Sequence, residues 1–282
     1  MSDTLTDWLN TTPYCQTLGV SAEPIEPERT LLHLPYREAN SNPGGVLHGG
    51  VAASLSVIGG HAIIRQSLGA ESGPWHTAGF QINYLAAAIE ETVTAEARLL
   101  RRGRELCFVE VYVRSAAGKP ISQATLALHA RFANPSPTLY HSSGDDGDVD
   151  PGPMGKNIGA VNFIGARGIE VELMRSGASR LRMPFSAANA SAEGTVHEGA
   201  ALALLDTTGA MAAWAETGPG AYKASTPAIQ AQVLTPPPKG DLVAYGRVCQ
   251  RDNELFWTDV EVAEASSGQV HLRGTVLYRI LT

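Results

Sequence analysis

One segment occurs twice in this 282-residue chain, at a fixed offset of 149 residues. His48 pairs with His197, Gly50 with Gly199, Thr77 with Thr226, Leu85 with Leu234, Arg98 with Arg247 and Glu105 with Glu254. Upstream, Gly19, Pro35 and Asn40 pair with Gly168, Pro184 and Asn189. No gap is needed from Tyr14/Phe163 to Phe132/Leu281. Such a chain folds as two similar units of ~120 residues, an ordinary domain size. The register predicts domains over 1–133 and 163–282, with a connector over 134–162.

Each repeat shows the same order of elements. A strand alternating at period two comes first, Thr30–Tyr36 and Ser179–Phe185. A loop rich in Gly, Asn, Ser and Pro follows. Then comes a long helical segment, from about His48 to Leu68 and from about His197 to Glu216. These helices are apolar or small nearly all round, which marks them as buried. Strand candidates complete each copy: Ala78–Leu85, Thr92–Arg101, Leu106–Ser115 and Ile121–Arg131, then Ala228–Leu234, Asp241–Gln250, Leu255–Ala263 and Val270–Ile280. Turn residues such as Arg102-Gly103 and Ser266-Ser-Gly268 separate them. One buried helix and an antiparallel meander predict an α+β unit, its sheet wrapped around the helix.

Composition narrows the function. A formal charge of −7 and the lack of a basic run argue against a nucleic-acid surface. The three cysteines, Cys15, Cys107 and Cys249, have no metal-ligand spacing, and their odd count predicts free thiols in a reducing compartment. The opening residues lack the basic region and apolar core of a signal peptide, and no stretch has the ~20 apolar residues of a membrane span. The expectation is a cytoplasmic protein with no membrane partner. The connector holds Asp145, Asp146, Asp148 and Asp150. It lacks the bidentate Glu that closes a calcium loop, so a flexible, solvated linker is expected rather than a metal site.

The copies differ where chemistry would sit. The first reads Asn42-Pro-Gly-Gly-Val-Leu-His48-Gly49-Gly50 and later Val57; the second reads Ser191-Ala-Glu-Gly-Thr-Val-His197-Glu198-Gly199 and later Asp206. The Asn42-x5-His48-Gly49-Gly50 segment, followed by Thr77-x6-Tyr84-Leu85, resembles the signature of PaaI-like acyl-CoA thioesterases of the hotdog fold. The resemblance covers nearly the whole chain in two copies. It implies a tandem hotdog whose repeats pair as an intrachain pseudo-dimer, with the two central helices antiparallel and sites shared between units. Nine residues of helix span about 13 Å, so a residue that far along one helix can meet the first turn of the other.

The resemblance then implies one complete site, made of Asn42, His48 and Gly49 from the first copy with Asp206 and Thr226 from the second. The other site would combine Ser191, His197 and Glu198 with Val57, and reads as lapsed. In the complete site Gly49, at a helix N-terminus, would offer a backbone N–H to a thioester oxyanion. Asp206, in an apolar helix, would act as general base for water or attack directly. Thr226 would orient the water or the carboxylate, and Asn42 and His48 would polarise the carbonyl or position the loop. Structural roles stand beside these: Asp206 bonded to Thr207 or Thr208, His48 at a helix start, Asn42 as a loop cap, Thr226 as a strand-start residue and Gly49 as packing space. Arg101, Arg102 and Arg104, clustered in a turn, are candidate contacts for the phosphates of coenzyme A, with Arg65 late on the first helix. No cofactor or metal motif is present. The expected function is hydrolysis of acyl-CoA thioesters. A non-catalytic acyl-CoA or acyl-chain binding module is the main alternative, and a hotdog hydratase ranks below both. Further pairing into a homodimer of the double-hotdog chain is expected.

Overall fold

The computed structural model describes residues 4–130, 139–145 and 147–282. Arg131, the end of one predicted strand, lies outside the described residues, as do residues 132 and 133 and, in the connector, residues 134–138 and Asp146. In the first repeat, helices α1 (Thr4–Thr11) and α2 (Pro13–Leu18) precede strands β1 (Ser21–Glu26) and β2 (Arg29–Leu34), helix α3 (Gly49–Leu68), and strands β3 (Trp75–Tyr84), β4 (Val93–Arg101), β5 (Leu106–Ser115) and β6 (Pro120–Ala130). After a short α4 (Gly152–Gly155), the second repeat runs α5 (Asn162–Arg167), β7 (Glu170–Arg175), β8 (Ala178–Met183), α6 (Glu198–Thr217), β9 (Lys223–Val233), β10 (Leu242–Arg251), β11 (Leu255–Glu264) and β12 (Val270–Leu281).

All twelve strands form one sheet, ordered β1-β2-β4-β5-β6-β3-β9-β12-β11-β10-β8-β7. The order is a palindrome about the β3–β9 junction. There Gln81 pairs antiparallel with Gln230, its own counterpart in the repeat, flanked by Phe80–Ala231 and Ile82–Ile229. A pseudo-twofold axis therefore passes through these glutamines, as in an isologous dimer. The two hotdog units are thus joined edge to edge within one chain.

The central helices lie side by side against the sheet. Contacts run 49 to 206, 50 to 203 and 54 to 199, so the pair is antiparallel. Close approach depends on small residues. A Cβ on Gly50 would lie 2.6 Å from the Ala203 methyl, and one on Gly199 would lie 2.9 Å from Ser54 Cβ. Ser54 links the helices by donating to the Gly199 carbonyl at 3.1 Å. Toward the sheet, Gly209 sits so near Val276 that a Cβ would come within 2.5 Å. Leu55, Ile58 and Ile63 are fully buried, each contributing roughly 1.5–3 kcal/mol of transfer free energy. Neither helix, nor any other among the described residues, is long and apolar enough to cross a membrane.

The connector departs from expectation. Its described part is docked on the second repeat rather than free. Tyr140 and Ser142 donate to Glu261, Asp145 pairs with Arg180, and backbone bridges join His141 to Gln269 and Asp150 to Leu173 of edge strand β7. Covering a sheet edge satisfies its open backbone groups, which explains why so polar a segment is held in place.

Candidate active site

Asp206 stands in the middle of α6, only 4% exposed. Thr207 and Thr208 do not serve it, because their hydroxyls bond back to the Ala203 and Leu204 carbonyls. Its hydrogen-bond donor is Thr226 on β9, whose hydroxyl reaches Oδ1 at 2.8 Å. Its other oxygen faces the first turn of α3: a Cβ built on Gly49 would lie 2.8 Å from Asp206 Oδ2. The Gly49 space is therefore occupied by the carboxylate of the other repeat. Burial pushes the Asp206 carboxyl up to about 6, tempered by the Thr226 bond, which favours the anion.

Gly49 is the first residue of α3, and its N–H has no hydrogen-bond acceptor among the described residues. It is one of the orphan donors of a helix start. Tyr84 on β3 walls this spot, donating its hydroxyl to the Gly49 carbonyl at 2.9 Å. Burial and the nearby Asp206 charge raise the Tyr84 phenol well above its usual range, so it stays a neutral donor. In the sequence Tyr84 belongs to the signature, but nothing there assigns it a role.

His48 is the N-cap of α3. Its Nδ1 accepts from Gly50 N–H at 2.9 Å, and its ring packs 4.6 Å from that of Phe163. Burial lowers its imidazole to about 4, so the ring is neutral. With Nδ1 occupied as acceptor, Nε2 carries the proton and can only donate. His197 repeats the arrangement, capping Gly199 N–H at 3.0 Å and stacking on Tyr14 at 4.7 Å. Capping explains why this His persists in both copies.

Asn42 anchors the preceding loop through its main chain, N–H to the Val46 carbonyl at 2.7 Å, while its half-buried side chain has no partner among the described residues. Ser191, its counterpart, spends its hydroxyl inside its own loop, on Thr195 Oγ1 and Glu193 N–H.

The arginine turn lies elsewhere. Arg102 and Arg104 border an open recess with Leu68, Ser72 and Trp75, while Arg101 packs over Phe108. Trp75 also lines a cavity of about 400 Å³ at the other composite site, the one beside Val57 and Glu198. The basic turn thus adjoins the Glu198 side of the molecule.

That second site also departs from expectation. It does have a carboxylate. Glu198, at the first turn of α6, reaches across to the first repeat, where Oε2 meets His61 Nε2 at 3.2 Å and Oε1 accepts from Thr77 N–H at 3.2 Å. Burial opposes its charge, but the bond and positive charge of His61, the Thr77 bond and the charge of His271 prevail and hold the carboxyl down at about 2. Nothing in the pattern of the repeat points to His61, whose counterpart is Ala210.

Comparison with known proteins agrees with the architecture. The model of the thioesterase superfamily matches residues 44–122. A Saccharolobus solfataricus protein, named provisionally as an esterase, is 31% identical over 103 residues, which cover 36% of this chain and 71% of that protein. A hotdog protein of unknown function from Alicyclobacillus acidocaldarius superposes over 100% of this chain and 99% of its own, with TM-score 0.67 and 15% identity. An acyl-CoA thioesterase II from Mycobacterium marinum, TesB2, superposes over 93% of this chain and 96% of its own, with TM-score 0.62 and 9% identity. The chain belongs to the thioesterase superfamily, as a double hotdog carried on a single polypeptide.

Proposed function

We propose that the chain hydrolyses acyl-CoA thioesters at the composite site of Asp206 and Gly49. One observation carries this reading: a buried carboxylate from one repeat lies against the first residue of the other repeat's central helix, Gly49, whose own N–H has no acceptor among the described residues. An oxyanion donor and a base are thereby brought to one point. Ionised Asp206 takes a proton from water as the water oxygen bonds to the thioester carbonyl carbon. The Gly49 N–H and the positive end of α3 stabilise the resulting oxyanion, an effect worth roughly 3–4 kcal/mol per donor in other enzymes. The C–S bond then breaks with its electron pair on sulfur, and the proton held by Asp206 passes to the thiolate. The products are a carboxylic acid and a free thiol. Attack by the carboxylate itself, through an anhydride, begins from the same ionised Asp206. Asn42, whose side chain has no partner among the described residues, polarises the thioester carbonyl or positions the loop.

Free-thiol release from a panel of acyl-CoAs, compared between the wild type and Asp206→Asn, tests this. At least one substrate is expected to lose its turnover by 100-fold or more with the fold intact. If the wild type binds acyl-CoAs and hydrolyses none, the chain is a binding module. If no substrate is slowed in the variant, the Asp206 assignment is wrong.

A further inference from the structure

We infer that the second composite site is also a working thioester site, with its carboxylate supplied from the opposite helix and His61 as its base. The inference rests on the hydrolytic reading above and extends it to the half of the molecule whose sequence looks lapsed.

The two sites are related by an exchange across the antiparallel helices. At the first, α3 contributes a glycine and α6 contributes Asp206, whose carboxylate fills the space over that glycine. At the second, the position of the aspartate holds Val57, and the position of the glycine holds Glu198. Because the helices run antiparallel, those two positions face the same spot. Glu198 grows from one side into the volume that an aspartate would enter from the other. Its target lies at the counterpart position, though through a different atom: Asp206 accepts from the Thr226 hydroxyl, and Glu198 accepts from the backbone N–H of Thr77. The loss of one carboxylate is thus offset by the gain of the other.

The chemistry differs in detail. A carboxylate held ionised by two N–H donors is a poor proton acceptor. It is a good orienting group, since it can only accept, so His61 Nε2 must carry the proton shared with it. Nδ1 is then the ring's acceptor, and it has no partner among the described residues. His61 lines the cavity. A carboxylate fixing the tautomer of an imidazole beside a substrate pocket is the arrangement that activates water or a nucleophile on other folds. His61 Nδ1 takes a proton from water, the water oxygen bonds to the carbonyl carbon, and the C–S bond breaks with its electrons on sulfur. The proton then moves from His61 to the thiolate. The backbone N–H of Glu198, first in α6 and without an acceptor among the described residues, occupies the place that Gly49 N–H holds at the first site. Exchanging the side chain leaves this oxyanion donor in place.

The surroundings identify the substrate class. The cavity has room for an acyl group and apolar walls, among them Trp8, Val57, Ile64, Trp75 and Pro236. Past Trp75 lies the recess with Arg102 and Arg104, neither of which has an ion-pair partner among the described residues. Two unpaired guanidinium groups one indole away from an acyl pocket suit the phosphates of coenzyme A. The counterpart turn offers no such patch: Asp252 and Asn253 stand where the first turn has Gly103 and Arg104, and Arg251 is paired with Glu216 at 3.4 Å. The geometry points to an acyl-CoA ligand for this pocket.

Thiol release from the acyl-CoA panel is measured for Asp206→Asn alone and combined with Glu198→Gln, His61→Asn, or Ala192→Trp. Ala192 is an exposed residue lining the cavity, so this last change fills the pocket without touching the Glu198 network. At least one acyl-CoA is expected to keep its turnover in Asp206→Asn. His61→Asn and Glu198→Gln then lower its kcat by 100-fold or more with KM nearly unchanged, and Ala192→Trp raises KM. Arg102→Ala with Arg104→Ala raises KM for the CoA ester but not for the same acyl group on N-acetylcysteamine. Loss of every activity in Asp206→Asn overturns the inference, and so does residual turnover indifferent to His61 and to Ala192→Trp. Absence of turnover in the wild type is a different result, which refutes the hydrolytic reading itself.

Discussion

Replacing Asp206 by Asn should make the protein more stable as well as inactive at the first site, and the stabilisation should depend on pH in a defined way. The carboxyl titrates at about 6 in the fold, against an ordinary value of 3.8, because burial disfavours its charged form. A group whose pKa is raised by folding binds protons more tightly in the native state. Its contribution to stability is complete below the unfolded value and is lost as pH rises through the folded one. Raising a carboxyl from 3.8 to about 6 corresponds to about 3 kcal/mol, so the wild type gives up about that much between pH 3 and pH 7. Asparagine fills the same volume, can still accept from Thr226, and carries no charge. The variant and the wild type should therefore unfold with nearly equal free energies at pH 3. At pH 8 the variant should be more stable by about 3 kcal/mol. Guanidinium titrations at both pH values measure the difference, and comparing the two proteins at each pH cancels other titrations, including that of Glu198. A difference that does not change with pH, or a variant that is weaker at pH 8, would refute the claim that Asp206 is held ionised at a cost. The result bears on the proposed hydrolysis, because the burial that raises the pKa would also make the ionised carboxylate a competent base.

Thr226→Val removes the hydroxyl that donates to the Asp206 anion. The rising limb of the pH–kcat profile should then move up from about pH 6 by roughly one pH unit, while Thr226→Ser should leave it in place. His48→Ala deletes the acceptor for Gly50 N–H and should destabilise the fold by about 1–2 kcal/mol in chemical unfolding. His48→Asn should recover much of that loss, since a side-chain oxygen can cap the same N–H.

Much of the fold is legible in the sequence because it depends on periodicity and repetition. The long helices, expected from about His48 to Leu68 and His197 to Glu216, run Gly49–Leu68 and Glu198–Thr217. The strand expected over Leu106–Ser115 has those same ends. Strands β1 and β7 escape sequence reading, and for β1 the physical reason is plain: it is almost wholly exposed and contains Pro24, so it shows no alternation to find. Short helices such as α2, six residues begun by a proline, are too brief to carry a 3.6-residue pattern. The connector looks free because composition reports what a segment lacks in hydrophobicity. It does not report that a sheet edge elsewhere needs covering.

The candidate site divides along the same line. Asp206, Thr226 and Gly49 come together as expected, because helix rise and an antiparallel pairing suffice to bring them within reach. Glu198 is misjudged when the repeats are compared position by position, as though a carboxylate had to return at the place of Asp206. Two antiparallel helices impose a different rule. The first turn of one and the third turn of the other converge on one volume, and a side chain from either can fill it. A side chain at position 198 leaves the backbone N–H of that first helical turn in place. What the side chain decides is where the carboxylate points, and Glu198 points away from its own N–H toward His61 and Thr77 on the other repeat. The shared surface between the repeats, and not either repeat alone, is therefore the unit on which substitutions at positions 49, 57, 198 and 206 act together.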